Sequence, residues 1–124
     1  MRLLLDSHVL LWWLAGDRLE ARAQRAIASG SSVVFVSAAS VWEIELKKGR
    51  GKVRTEADLA HEALLAGFLE LPVGFEHARA AGRLPAHHRD PFDRVLVAQA
   101  QVEGLVLVTR DRTLRRYDVP ILAA

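Results

Sequence analysis

Five short apolar runs, separated by segments of helical character, constrain the fold of this chain most strongly. The runs occupy residues 2–5, 32–36, 69–71, 105–108 and 119–122. Strands that alternate with helices predict a mostly parallel sheet, because the helix that joins two parallel strands packs on a face of the sheet. We therefore expect an α/β fold of three layers (α/β/α) around a central, mostly parallel five-stranded sheet.

Length and composition limit the class of protein. A chain of 124 residues, 51% of them hydrophobic, suits a single domain spanning residues 1–124. Because the chain has no cysteine, it can form neither disulfides nor thiolate metal sites. No apolar run approaches the roughly 20 residues of a membrane span, and the N-terminal residues do not resemble a secretory signal. We expect a cytoplasmic protein without a membrane partner.

Acidic residues lie at or beyond the carboxyl ends of several of these predicted strands. Asp6 ends the first strand and Asp111 follows the fourth, while Glu43 and Asp93 lie in helices that border the same edge. Because neighbouring carboxylates repel one another, such a group needs a counter-charge. Mg²⁺ or Mn²⁺, as one or two ions, is the natural choice, since these cations take oxygen ligands. A site of this kind suits phosphodiester hydrolysis.

Each acid also has a purely structural interpretation. Asp6 and Asp90 are each placed to cap the helix that follows. Glu43 could complete a capping box with Ser40, and Asp93 could compensate a helix dipole. If these interpretations hold, the acids are structural, and the alternative is a protein whose basic clusters hold RNA without cutting it.

Basic residues form two clusters, at residues 47–54 and 110–116. Although the net charge is only +2, 14 of the 17 basic residues are arginine, which suits phosphate contacts. The alternative to a nucleic-acid track is an ordinary solvated surface. Four residues are candidates for contacts to a nucleic-acid backbone: Lys47, Lys48, Arg110 and Arg112.

Two further regions have weaker signals. His87 and His88 are adjacent, and neighbouring side chains face different ways on a helix or a strand, so the less favoured interpretation is that either binds a metal. Thr55 and Asp58 have capping-box spacing, which predicts a helix over residues 55–68.

Several other α/β classes are excluded by missing residues. A haloacid-dehalogenase-like phosphatase needs Asp-x-Asp after the first strand, where this chain has Asp6-Ser7-His8. That class and phosphorylation-receiver domains both need a late lysine, and no lysine follows Lys52. No glycine-rich phosphate loop follows any strand, which argues against a nucleotide-binding module.

Four motifs stand in order along nearly the whole chain. They are Leu3-Leu4-Leu5-Asp6-Ser7-His8, Ser37-x-x-Ser40-x-x-Glu43, Asp90-Pro91-Phe92-Asp93-Arg94 and Thr109-Arg110-Asp111. Together they resemble the PIN-domain family, and the closer resemblance is to the toxin ribonucleases of VapBC-type toxin–antitoxin pairs.

The resemblance implies a PIN-like domain, a role for each motif residue, and partners. The implied catalytic and metal-binding acids are Asp6, Glu43, Asp93 and Asp111. Supporting positions are Ser7, Thr109 and Asp90, of which Asp90 is an extra acid that caps a helix rather than binding metal. The resemblance further implies Mg²⁺- or Mn²⁺-dependent cleavage of RNA, a homodimer, and neutralisation by an antitoxin protein.

Overall fold

A computed structural model describes residues 1–124 as a parallel sheet flanked by helices on both faces. The strands are β1 (Arg2–Leu5), β2 (Val33–Ser37), β3 (Leu69–Leu71), β4 (Val106–Thr109) and β5 (Ile121–Ala123). The α-helices are α1 (Ser7–Ala15), α2 (Ala21–Ala28), α3 (Ala38–Gly49), α4 (Leu59–Leu65), α5 (Phe75–Arg83) and α6 (Pro91–Glu103), and a 3₁₀ helix spans Arg112–Arg116. The expected three-layer α/β/α architecture is confirmed. No helix combines the length and the hydrophobicity needed to cross a bilayer.

The strand order places β1 at the centre of the sheet. The order is β3-β2-β1-β4-β5, and every pair is parallel. Leu5, the last residue of β1, is in register with Val36 of β2 and Val108 of β4. After β1 the chain therefore adds β2 and β3 on one side of β1, and it later adds β4 and β5 on the other side. The carboxyl ends of β1 and β4 form the resulting switch point, where α/β sheets commonly bind ligands.

Both faces of the sheet are apolar, which explains why β1 lacks an alternating pattern. Leu3 and Leu5 join a cluster with buried residues of α1, α2 and α4. Leu4 joins a second cluster on the other face, built largely from α6 and the segment after it. Because β1 is buried on both sides and pairs with two neighbouring strands, it fixes the position of the residue that follows it.

The predicted helix over residues 55–68 was wrong at both ends. The helix begins at Leu59 and ends at Leu65, and its N-cap is Asp58, whose side chain accepts the His61 backbone N–H. The Thr55 hydroxyl instead accepts the Ala57 N–H in a local turn. A side-chain hydrogen bond of this kind competes with helix formation and delays the start of the helix.

Candidate active site

Asp6 joins the end of β1 to the start of α1 and is only 5% exposed. One carboxylate oxygen, Oδ1, accepts the backbone N–H groups of His8 at 2.8 Å and Val9 at 3.2 Å, so Asp6 is the N-cap of α1. The other oxygen, Oδ2, accepts the Thr109 hydroxyl at 2.6 Å. The capping interpretation is therefore confirmed, and the second oxygen reaches the end of the neighbouring strand β4.

Glu43 lies inside α3, where it faces two donors. The N-cap of α3 is Ser37, whose hydroxyl accepts the Ala39 N–H, so the capping box of Glu43 with Ser40 was wrong. Glu43 instead accepts the Ser7 hydroxyl through Oε1 at 2.6 Å. Its Oε2 lies 2.9 Å from the Lys47 ammonium. A buried carboxylate is thus connected both to the turn after β1 and to a cation.

Asp93 lies in the first turn of α6, behind the cap that Asp90 provides. Asp90 accepts the backbone N–H groups of Phe92 and Asp93, as its position before a proline predicted. Burial raises the pKa of Asp93 from 3.8 to about 7. Nearby carboxylates act in the same direction, while the His88 ring opposes them; these carboxylates belong to Asp90, Asp6 and Glu43. The fold therefore brings three of the four predicted acids close enough to repel one another.

Asp111 reaches the same region from the end of β4. Its Oδ1 caps the 3₁₀ helix by accepting the Thr113 N–H at 2.9 Å, and its Oδ2 lies 2.9 Å from His88 Nε2. Partial burial acts to raise the pKa of Asp111, but hydrogen bonds from the His88 ring and the Thr113 backbone outweigh it and lower that pKa overall. Asp111 is accordingly held as an anion.

His88 also lies in this site, although the sequence offered a metal-binding role for it only as the less favoured interpretation. Its Nε2 atom lies 3.3 Å from Asp93 Oδ2 in addition to its contact with Asp111. Potential ligand atoms of His88, Asp93 and Asp111 all lie within 4.8 Å of one another. The expectation that adjacent histidines diverge is confirmed, because the His87 ring instead packs edge-on against Tyr117, 5.1 Å away.

The donor set at this edge suits a hard divalent cation. Carboxylate oxygens predominate, and their mutual repulsion needs a positive partner. The Ser40 hydroxyl, one helical turn before Glu43 on α3, is buried and has no hydrogen-bond partner. A buried polar atom left without a partner is costly unless another polar group meets it. The residues present therefore fit the ion that the acids imply.

The four basic candidates divide into two pairs. Lys48 donates to the Ala57 carbonyl at 2.7 Å, and Arg110 stacks on Trp12 at 3.9 Å while donating to the Ala124 carbonyl at 2.9 Å. These two cations are engaged in contacts that hold the fold. Lys47 instead lies beside Glu43, and Arg112 is exposed in the 3₁₀ helix directly after Asp111.

Comparison with known proteins assigns the chain to a family. A family model described as the PIN domain matches residues 3–120. The chain belongs to the PIN-domain family. A curated relative, Ribonuclease VapC22 from Mycobacterium tuberculosis, is 31% identical over 129 aligned positions, which cover 94% of this chain and 92% of that protein. The family resemblance carried by the four sequence motifs is thereby confirmed.

Solved structures of low sequence identity share the PIN fold. VapBC2 from Rickettsia felis, bound to a promoter DNA fragment, matches with a TM-score of 0.74 and 13% identity, covering 100% of this chain and 99% of that one. VapC20 from Mycobacterium tuberculosis, described as a toxin that cleaves the sarcin-ricin loop, matches with a TM-score of 0.66 and 20% identity, covering 94% and 95%. At sequence identities of 13% and 20%, these matches show that the folds are alike and nothing more.

Proposed function

We propose that this chain is a Mg²⁺- or Mn²⁺-dependent endoribonuclease, formed as one nuclease domain over residues 1–124. Its substrate is single-stranded or structured RNA, and it acts in the cytoplasm as the toxin of a type II toxin–antitoxin system. The observation that carries the proposal is the convergence of acids at the switch point of the sheet, where the half-buried Asp93 is crowded by the Asp6, Asp90 and Glu43 carboxylates, which help to raise its pKa. Membership of the PIN family and the relation to a ribonuclease support the same activity.

Each site residue has a role consistent with its contacts. We assign one or two divalent ions to the four acids Asp6, Glu43, Asp93 and Asp111. An ion held there would supply Lewis-acid activation of water and stabilisation of the leaving oxygen. The hydroxyl donors Ser7 and Thr109 orient the Glu43 and Asp6 carboxylates through bonds of 2.6 Å each. Asp90 fixes the first turn of α6 and so the position of Asp93.

Cleavage of a mixed RNA pool by the purified, partner-free protein tests this proposal. We expect cutting with Mn²⁺ or Mg²⁺ and none with a chelator, because the crowded carboxylates need a cation to offset their repulsion and to activate the attacking water. Cellular RNA serves as a second substrate, since a toxin can have a narrow target. If the folded protein binds RNA but cleaves neither pool in the presence of metal, the binding-only alternative is favoured.

Contacts to the RNA backbone should come from Lys47 and Arg112, because their charges flank the acids and are not tied to backbone carbonyls. We expect Lys47→Met and Arg112→Met each to reduce the slope of log binding constant against log salt by about 0.7 for single-stranded RNA. The measurement is fluorescence anisotropy at several salt concentrations in chelator, so that the RNA stays intact.

Arg25→Met provides the matched control for these two variants. It removes one positive charge from the exposed surface of α2, a helix that carries none of the site residues. We expect the slope of this variant to equal that of the wild type. If the Lys47 and Arg112 variants also retain the wild-type slope, neither residue contacts phosphate.

Two protein partners complete the proposal. Solved complexes of similar fold are described as VapBC assemblies from Rickettsia felis and Salmonella typhimurium, which supports neutralisation of this chain by an antitoxin protein.

We also propose a homodimer, and we assign its interface to an apolar groove beside the site. Its lining includes Trp42, Val73 and Phe92, and the Trp42 side chain is 63% exposed. Exposed apolar surface of this kind commonly marks an interface.

Sedimentation analysis of wild type and Trp42→Glu tests the dimer. The wild type should sediment as a dimer at micromolar concentration, and the variant as a monomer, because a carboxylate buried in an apolar interface lacks a partner. A dimeric variant would place the interface elsewhere, and a monomeric wild type would remove the homodimer from the proposal.

A further inference from the structure

The segment between α5 and α6 carries His88 into the acidic site. We propose that His88 is a positioning residue whose ring N–H holds the Asp93 and Asp111 carboxylates together, and that it is not itself a metal ligand. This inference rests on the proposed function in taking the acids as the metal site. It assigns a distinct task to a residue outside the acidic quartet.

The hydrogen bonds of the ring determine which nitrogen carries the proton. His88 Nδ1 lies 3.0 Å from the Asp90 backbone nitrogen and accepts its N–H. Since Nδ1 is an acceptor, the proton of the neutral ring lies on Nε2. That N–H faces two acceptors, Asp111 Oδ2 at 2.9 Å and Asp93 Oδ2 at 3.3 Å. His88 thus donates a hydrogen bond to Asp111, and the same N–H lies within ion-pair distance of the Asp93 carboxylate.

The same geometry argues against His88 as a ligand, even though its nitrogen lies among the carboxylates. A metal-binding imidazole normally donates its remaining N–H to a carbonyl or a carboxylate. Ligation through Nε2 would move the proton of His88 to Nδ1. There it would oppose the Asp90 N–H, and two donors would face each other. The backbone of the α6 cap therefore selects the tautomer that donates to the acids.

The position of the ring is fixed by two side chains from other elements, the half-buried Arg94 of α6 and the buried Tyr117. Arg94 donates to the Leu84 carbonyl at 3.0 Å and the Pro85 carbonyl at 2.9 Å. The Tyr117 hydroxyl accepts the His88 backbone N–H at 2.9 Å and donates to the Pro85 carbonyl at 3.0 Å. The segment is thus attached both to α6 and to the residue after the 3₁₀ helix. These are the elements that carry Asp93 and Asp111.

A shared donor has a clear consequence for cation binding. Asp93 and Asp111 belong to different elements, and their facing oxygens repel each other. The His88 N–H holds these oxygens close before any ion arrives, so the acids need little rearrangement on binding. Without this donor the two carboxylates are expected to separate. Removal of such supporting hydrogen bonds typically costs about 10- to 100-fold in metal affinity.

The first arm of the test needs no metal. A long-range ¹H–¹⁵N NMR spectrum of the full chain, recorded in chelator at pH 8, reports which ring nitrogen of His88 carries the proton. We expect the Nε2–H form, assigned by comparison with His88→Gln. An Nδ1–H form would overturn the proposal. Because neither RNA nor an ion is present, this outcome is independent of whether the protein cleaves RNA.

The second arm measures Mn²⁺ binding by calorimetry. We expect His88→Ala to weaken binding about 10- to 100-fold. His88→Gln keeps an N–H donor near the position of Nε2 and should remain within about threefold of the wild type. The control is His61→Ala, an exposed histidine on α4 whose replacement should leave binding unchanged. Wild-type affinity in His88→Ala would overturn the proposal.

Electron spin echo spectroscopy of the bound Mn²⁺ separates a donor from a ligand. We expect no coupling from a directly coordinated imidazole nitrogen in the wild type. A strong ¹⁴N coupling that disappears in His88→Gln would make His88 a ligand and overturn the proposal. If binding and tautomer agree with expectation but RNA remains uncut, the positioning role stands and the proposed nuclease activity fails.

Discussion

Asp6→Asn is expected to lower the rate of RNA cleavage by at least about 1,000-fold, which corresponds to roughly 4 kcal/mol of transition-state stabilisation. The substitution removes one negative charge from the centre of the site and changes little else. Asparagine caps helices about as well as aspartate, so the bonds to the His8 and Val9 N–H groups can persist. The Thr109 hydroxyl can rotate to accept from the new amide.

The measurement is single-turnover cleavage with saturating Mn²⁺, together with thermal melting as a check on folding. Asp17→Asn serves as the matched control, because it makes the same chemical change at an exposed position after α1. The control should cleave at the wild-type rate. If Asp6→Asn, folded and metal-saturated, keeps more than about a tenth of the wild-type rate, Asp6 does not hold the catalytic ion.

Asp93→Asn is expected to abolish cleavage and, in chelator, to stabilise the protein. Burial and the surrounding carboxylates raise the pKa of Asp93 to about 7. The folded state therefore holds a proton that the unfolded state has already lost between pH 3.8 and about 7. Stability falls as the pH rises through this window, and the full penalty is present above it. At about 1.4 kcal/mol per pKa unit, the penalty is at most about 4.5 kcal/mol.

Denaturant unfolding in chelator at pH 5 and pH 8 measures this effect. We expect the wild type to lose more stability than Asp93→Asn over that interval, so that the variant is the more stable protein at pH 8. Glu45→Gln, on the exposed side of α3, controls for general charge effects. Equal pH dependence in the wild type and Asp93→Asn would show that Asp93 ionises freely, and would contradict the crowding of acids that carries the proposed function.

The ends of the strands made the main part of the site predictable from the sequence. A parallel sheet places the carboxyl ends of its strands at one edge, so Asp6 and Asp111 could be expected at the same edge once the strands were recognised. That they are neighbours depends also on the strand order, in which β4 pairs with β1. The cap at Asp90 was equally visible, because the proline after it marks the first position of a helix.

The contacts that complete the site were not predictable in this way. His88 is held beside the acids by contacts of its backbone with Tyr117 and Arg94, and its segment has no periodic pattern. Lys48 resembled Lys47 in the sequence, yet only Lys47 faces Glu43, because adjacent helix positions point in different directions. Arg110 was a candidate for RNA contacts, but the fold stacks it on Trp12, almost 100 residues earlier in the chain. Such long-range pairings depend on packing rather than on local pattern.

Mn²⁺ titration of the wild type and of the acid-to-amide variants by calorimetry tests the central claim most directly, namely that the acids at this edge jointly hold a divalent ion. The account predicts saturable binding of one or two ions to the wild type. It predicts at least about tenfold weaker binding to Asp6→Asn and Asp93→Asn, with unchanged binding to Asp17→Asn. Absence of saturable binding to the folded wild type, or equal affinity in all four proteins, would contradict it.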